Sequence, residues 1–109
     1  MGIESAAQAV SAASVAQQVG ANNIANVNTD EFKASSVAFE EGPGGNGVRV
    51  SDIRRDDSPG PVINGVEGSN TDIGREMVGL MRNEHMVGAN AAVVRAHEEM
   101  TGHLLNMVV

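Results

Sequence analysis

The histidines are the side chains of this sequence best suited to bind a metal. They are His85, His97 and His103. His97 and Glu98 begin like the H-E-x-x-H motif of zinc peptidases, but Thr101 stands where the second histidine belongs. Glu99 and His103 are four residues apart and could share an ion, yet two ligands are too few for a structural zinc site. We therefore expect surface or subunit-contact histidines and no bound metal.

A second candidate for chemistry is the glycine-rich stretch 42–47, Gly-Pro-Gly-Gly-Asn-Gly, which matches G-x-G-x-x-G. In a dinucleotide site this loop opens a helix whose N-terminus binds the pyrophosphate. Here residues 48–53 alternate in the manner of a strand, which favours a hairpin loop and predicts no cofactor. The sequence also has no cysteine and no G-x-S-x-G motif. It therefore predicts a protein that is not an enzyme.

The composition limits the possible partners and the possible core. The chain has 109 residues, a net charge of -7 and 2% aromatic residues. An acidic chain with so few aromatic rings is a poor nucleic-acid binder, and nothing indicates a small-molecule substrate. The N-terminal stretch has no basic region, so we expect no cleavable signal peptide. An apolar content supplied largely by Ala and Met favours packing of helices, with further stabilisation from neighbouring subunits.

Two long stretches have helical periodicity. In residues 3–26, apolar and small residues recur every seven positions and form a line of contact along one side of the helix, the seam. The small side chains in this seam would let another helix approach closely. Residues 71–107 form a second helix, for which Ser69 or Asn70 is the expected N-cap. The small residues of the first helix are Ala6, Ala13 and Gly20. The predicted contact residues are Ile3, Val10, Ile24, Leu80, Met86, Val87, Val93, Val94 and Met100.

The middle of the chain contains all three prolines and two short alternating stretches. In residues 36–40, Val37 and Phe39 share a face, and in residues 48–51, Val48 and Val50 do so. These stretches predict a β-hairpin, followed by an irregular connector at residues 56–61. The expected fold is mainly α: two long terminal helices pair as an antiparallel helical hairpin or coiled coil, with a small β-hairpin between them. The expected parts are 1–29, 30–68 and 69–109.

Two stretches resemble the signatures of bacterial flagellar axial proteins. Residues 21–34, Ala-Asn-Asn-Ile-Ala-Asn-Val-Asn-Thr-Asp-Glu-Phe-Lys-Ala, are similar to the family's N-terminal pattern, although Glu31 stands where the family often has Gly. The last helix is similar to the family's terminal helix. The middle of the chain is most similar to the proximal rod proteins, in a shortened form. The residues that carry the signature are Asn22, Asn23, Ala25, Asn26, Thr29, Phe32, Glu76, Met77 and Asn90.

The resemblance implies a structural subunit of the flagellar basal-body rod. Such subunits polymerise through their terminal helices into a drive shaft that transmits torque from motor to hook. The implied partners are other copies, other rod proteins and the export apparatus, and the implied location is the periplasm-spanning rod. Two alternatives stay open at this point. One is another axial protein, distal rod or hook-like; the other is a small helical secretion chaperone or secreted helical hairpin.

Overall fold

The computed structural model describes residues 3–45 and 47–108, with the side chains of Ile3, Pro43 and residues 105–108 outside the described part. The predicted mainly helical fold, with two long helices and a small β-hairpin between them, is confirmed. The elements are α1 (Ile3–Ala25), β1 (Ser35–Glu41), β2 (Val48–Arg55), β3 (Val62–Ile63), β4 (Val66–Glu67) and α2 (Ile73–Val108).

The two helices pack against each other in antiparallel orientation. Near the end of α1, the Asn23 side chain hydrogen-bonds Glu76 in the first turn of α2 at 3.1 Å. One turn earlier Gly20 lies against Leu80, and a Cβ at Gly20 would be 3.0 Å from Leu80 Cδ2. The absent side chain of Gly20 therefore allows the close approach that the sequence predicted.

Small side chains form the part of α1 that is most completely buried. Ala6 and Ala13 are fully buried and Ala12 is 4% exposed. Since helical neighbours lie three or four residues apart, Ala6, Ala13 and Gly20 share one face, whereas Ala12 belongs to an adjacent one. On the second face, α1 packs against β1 and β2, and Ala12 and Val15 line a groove with Val48. The first helix is thus held between α2 and the hairpin.

The β1–β2 hairpin is antiparallel and has one largely apolar face. Val37 pairs with Ile53, and Phe39 pairs with Val50, with a register shift between Ala38 and Phe39. The shift marks a β-bulge, at which one strand contains an extra residue. Val37, Phe39 and their partners lie on the same side of the sheet, as the alternation predicted. Part of this face stays open, since Phe39 is 41% exposed.

A second, shorter hairpin is formed by β3 and β4, and the sequence analysis did not predict it. Its two-residue loop is Asn64-Gly65, with φ angles of 54° and 79°. Two consecutive positive φ angles are typical of a type I′ turn, for which Asn-Gly is the preferred sequence. The preceding residues 56–61 are irregular, as expected.

The last helix begins later than predicted and has a different cap. The α2 helix starts at Ile73, and the Asp72 carboxylate accepts a hydrogen bond from the N–H of Arg75 at 3.2 Å. Asp72 is therefore the N-cap, and the assignment of that role to Ser69 or Asn70 was wrong. Both residues have other partners: the Ser69 hydroxyl binds Thr71, and the Asn70 amide binds the connector.

The molecule is elongated because α2 is much longer than the rest. The described residues span 74 × 25 × 14 Å, with a radius of gyration of 18.9 Å. A compact domain of this size would have a radius of gyration of about 13 Å. At about 1.5 Å per residue, the 36 residues of α2 extend about 54 Å. Within the described residues, neither helix has a stretch that is both long and apolar enough to span a bilayer.

Candidate assembly surfaces and the junction that positions them

Asn23 joins three elements at the end of the helix pair where the chain leaves α1. Its side chain is 1% exposed. The amide Nδ2 donates to the Ser35 carbonyl at 2.8 Å and to Glu76 Oε1 at 3.1 Å, and Oδ1 accepts from the Ser35 N–H at 3.0 Å. The side chain thus pairs with the first residue of β1 as a neighbouring strand would. A single amide fixes the hairpin and α2 relative to α1.

Asn70 performs a similar role for the connector that precedes α2. Its Oδ1 accepts a hydrogen bond from the Ala34 N–H at 2.6 Å. Its Nδ2 donates to the carbonyls of Asp56 and Ser58 at 2.7 and 2.9 Å. The backbone N–H of Asn70 also donates to the Phe32 carbonyl at 3.2 Å. These bonds hold the start of α2 against the segment between α1 and β1.

An ion pair between Lys33 and Glu67 stabilises the same region. We call the contacts made by Asn23, by Asn70 and by this ion pair the junction. The Lys33 ammonium also donates to the Ser58 carbonyl at 3.0 Å, and the Gly60 N–H donates to Glu67 Oε1 at 3.0 Å. The hydrogen bond from Lys33, with that from Gly60, holds the pKa of Glu67 below its ordinary value. Hydrogen bonds from Ser58 lower the pKa of Asp56 in the same way. Both carboxylates are therefore ionised at neutral pH.

The turn after α1 contains several of the signature residues. The Asn26 amide donates to the Asn22 carbonyl at 2.9 Å, and the Thr29 hydroxyl donates to Asn26 Oδ1 at 3.0 Å. Glu31 has a φ of 60°, in the left-handed region that favours glycine. Its N–H donates to the Glu67 carbonyl at 2.8 Å. The turn is thus built with Glu at the position where the resemblance expects Gly.

The predicted contact residues divide into two groups on α2. Leu80, Val87 and Val94 recur every seven residues and are half-buried. Leu80 lies against Gly20, and a seven-residue repeat places the other two on the same face, toward α1. These three residues therefore pack within the chain. Their predicted role in contacts between subunits stays a prediction.

The second group, Met86, Val93 and Met100, does not lie on the face of α2 that contains Leu80, where α2 approaches α1 most closely. Met86 is 37% exposed, Val93 39% and Met100 63%. On α1, Val10 and Ile24 are half-buried, while the side chain of Ile3 lies outside the described part. The first helix therefore has little large apolar surface of its own, whereas α2 exposes a stripe of it.

The remaining signature residues are spread over the surface and the seam. Asn22 and Ala25 are exposed, and Phe32 is half-buried. Met77 is 55% exposed, and the half-buried Asn90 donates to the Met86 carbonyl at 2.8 Å within α2. Asn23 and Glu76 are signature residues from the two ends of the sequence, and they contact each other.

The residues first considered for chemistry are placed as follows. The glycine-rich stretch 42–47 joins β1 to β2, so a strand follows it rather than a helix. Within residues 3–45 and 47–108, no three His, Cys, Asp or Glu side chains come close enough together to hold a metal ion. His85, His97 and His103 are exposed along α2.

Sequence reasoning missed the polar contacts that close the junction. The sequence predicts a possible cap at Asn70 and places Lys33 in the family signature, but it assigns neither a contact, and it does not single out Ser35 or Glu67. A local pattern does not reveal which distant backbone group a side chain will bind. The Asn64-Gly65 pair was the one local signal that could have located the second hairpin.

Comparison with known families agrees with this architecture at the N-terminus. The family model described as flagella basal body rod protein matches residues 3–33, which cover α1 and the turn after it. The N-terminal segment is thus similar to that of flagellar basal body rod proteins. This match confirms the predicted family and supports a location in the flagellar basal body. No curated protein matches the chain.

The rod-family segment includes the residues that begin the junction. Asn23 and the Asn26–Thr29 turn lie within the match, whereas their partners Ser35 and Glu76 lie outside it. The matched family is a structural one, and the geometry fits that character. Its most fully bonded side chains hold backbone segments together.

Proposed function

We propose that the chain is a structural subunit of the flagellar basal-body rod and polymerises through α1 and α2 into the drive shaft. The family match over residues 3–33 supports a rod component. The antiparallel helix pair supports polymerisation, because two long helices present extended surfaces along one axis. The other partners in this proposal are further rod proteins and the flagellar export apparatus.

One observation carries the proposal: the described chain buries small apolar residues and exposes large ones. The buried apolar residues are alanines, Ala6, Ala12, Ala13 and Ala34. Large apolar side chains exposed in number on a soluble chain often mark an interaction surface. Eight large apolar residues of α2 are exposed. They are Ile73, Met77, Val78, Met81, Met86, Val93, Met100 and Leu104.

The half-buried seam residues fit a role in both the subunit and the polymer. Leu80, Val87 and Val94 pack toward α1 but keep part of their surface accessible, as do Val10 and Ile24 on α1. A neighbouring helix could cover that remaining surface. We propose these residues, with Met86, Val93 and Met100, as subunit contacts. Residues 1–29 and 69–109 would then form the axial core, with 30–68 as a small decorating part.

The position in the rod is a finer proposal. The similarity of the middle segment to proximal rod proteins favours the proximal rod. Torque transmission would then require that neighbouring subunits be joined along the helices rather than through the short hairpins. The two-residue strands β3 and β4 are too short for a stable sheet contact on their own.

Deletion of the gene, followed by imaging of purified basal bodies, tests the proposal. We expect basal bodies without a complete rod, restoration by the full-length chain, and detection of the chain in restored basal bodies by immunolabelling. A secretion chaperone would be needed for assembly but would be absent from the purified structure. Complete rods in the deletion strain would contradict a structural role.

A further inference from the structure

The second half of α2 continues past the beginning of α1. Asn23 is level with Glu76, and both helices rise about 1.5 Å per residue, so Ile3 is level with about residue 96. Within the described chain, residues 97–104 therefore have no helix beside them. Two apolar residues of this stretch, Met100 and Leu104, are 63% and 58% exposed. We call residues 97–104 the overhang.

A partly apolar groove lies at the opposite end of the helix pair. It lies between β1 and the first half of α2 and has a volume of about 430 Å³. Phe39 and Met86 line it and are 41% and 37% exposed. The other apolar residues of its lining are Ala16, Val19, Val37 and Leu80.

The charges of the groove and the overhang are opposite. Two arginines, Arg75 and Arg82, and one carboxylate, Glu76, line the groove, which leaves it with a net positive charge. Neither arginine has an ion-pair partner among residues 3–45 and 47–108. The overhang contains Glu98 and Glu99 directly before Met100, and all three are exposed. In a chain of net charge -7, a groove with two unpaired arginines favours an acidic occupant.

We propose that the overhang of one copy docks in the groove of a second copy. This inference rests on the proposed function and names the surfaces through which copies would join. Met100 and Leu104 lie four residues apart on one helical face, so both can contact the apolar lining. Glu99 flanks that face and meets the arginines on one side of the groove.

The contact is heterologous, because the two surfaces are different parts of the same chain. Each copy has one groove and one overhang, so each bound copy offers a free surface at either end. Such contacts build open filaments rather than closed dimers unless a rotation closes the ring. The geometry therefore yields growth along the long axis of α2.

Engineered disulfides test the contact directly, because the chain has no cysteine of its own. Met86→Cys and Met100→Cys would lie about 21 Å apart along α2 in one chain. A disulfide requires a Cα separation of about 4.4–6.8 Å, so this pair can form only between copies. We expect disulfide-linked dimers when the two single variants are mixed and oxidised, and no dimers from either variant alone.

A second cysteine pair and a charge exchange complete the test. Phe39→Cys with Leu104→Cys should cross-link in the same way if Met86→Cys perturbs folding. Arg82→Glu should lower the cross-linking rate about fivefold, as expected for one exposed ion pair, and Glu99→Arg should restore it in that background. Arg54→Glu, an exposed residue of β2 that does not line the groove, should leave the rate unchanged.

The outcomes separate this inference from the proposed function. Rods that contain the chain but show no cross-link for either cysteine pair would overturn the docking and leave the rod function standing. Equal cross-linking by the single variants alone would also overturn it, because a head-to-tail contact requires both surfaces. Complete rods in the deletion strain would instead contradict the function itself.

Discussion

The two ends of the helix pair use their side chains differently. At the junction, Asn23, Asn70 and the Lys33–Glu67 pair bind partners within the chain. At the overhang, residues 97–104, Met100 and Leu104 are 63% and 58% exposed. The junction stabilises the subunit, whereas the overhang presents apolar surface that another molecule has to cover.

The difference follows from the chemistry of the two regions. A buried amide is costly unless its donors and acceptors are satisfied, so the junction has one defined geometry. An exposed helical segment without a packed face has little stability of its own, since most helical stability in proteins comes from tertiary packing. We infer that the junction sets the shape of the subunit and that the overhang gains order from assembly.

Replacing Asn23 by Ala should have the largest effect on the stability of the isolated subunit. The substitution leaves the N–H and carbonyl of Ser35 without their partner and removes the link to Glu76. We expect a loss of about 3 kcal/mol, measured by urea unfolding followed by circular dichroism.

The matched control is Asn28→Ala, an exposed residue in the adjoining turn. It should change the free energy of unfolding by less than about 0.5 kcal/mol. Equal effects of the two substitutions would show that Asn23 does not hold the junction.

Replacing Val94 by Asp should disturb the seam close to the beginning of the overhang. Val94 is half-buried toward α1, and a carboxylate there would lose part of its hydration without gaining a partner. We expect a cost of about 2 kcal/mol per subunit, which recurs at every copy in a polymer and should abolish swimming.

Ala92→Asp adds the same charge at an exposed position of α2 and should leave swimming intact. Immunoblots establish that both variants are synthesised. Normal swimming by Val94→Asp would mean that this face is not part of a contact surface.

Replacing Glu31 by Gly should stabilise the junction. Glu31 has a φ of 60°, and a non-glycine residue in this region is strained. We expect a gain of about 1 kcal/mol in thermal unfolding. Asp30→Gly, one residue earlier and without a positive φ, should destabilise slightly because it adds freedom to the unfolded chain.

The Lys33–Glu67 pair predicts a smaller effect that depends on pH. Because Lys33 lowers the pKa of Glu67 in the folded chain, the ionised carboxylate contributes stability that is lost as the pH falls through that lowered value. Glu67→Gln should therefore weaken the subunit at neutral pH and reduce its further loss of stability in acid. Urea midpoints between neutral pH and about pH 3 measure this, with the exposed Glu84→Gln as a control.

The helix pair was predictable from the sequence because its signal is periodic. Ala6, Ala13 and Gly20 recur every seven residues, and that spacing predicted the close approach of a second helix. The alternation around Phe39 and Val50 likewise predicted the face of the first hairpin. In each case the periodic pattern lies within a single element, and it marks the face through which that element contacts another.

The junction was not predictable in the same way. Asn70 accepts from Ala34 across 36 positions of sequence, and Lys33 pairs with Glu67 across 34. Such pairs depend on the path of the chain between them, which runs through both hairpins. The methionine stripe was visible in the sequence, but its position beside the seam rather than in it emerged only from the packing of α2 on α1.

Amide hydrogen exchange along α2 most directly tests the central claim. The claim is that α2 is stably packed within the subunit near the junction, whereas the overhang is stabilised only by assembly. In the dilute subunit, the amides of residues 97–104 should exchange faster than those of residues 76–90, which pack against α1. In assembled filaments the difference should largely disappear. Equal protection of both stretches in the subunit, or an overhang whose exchange does not slow on assembly, would contradict this account.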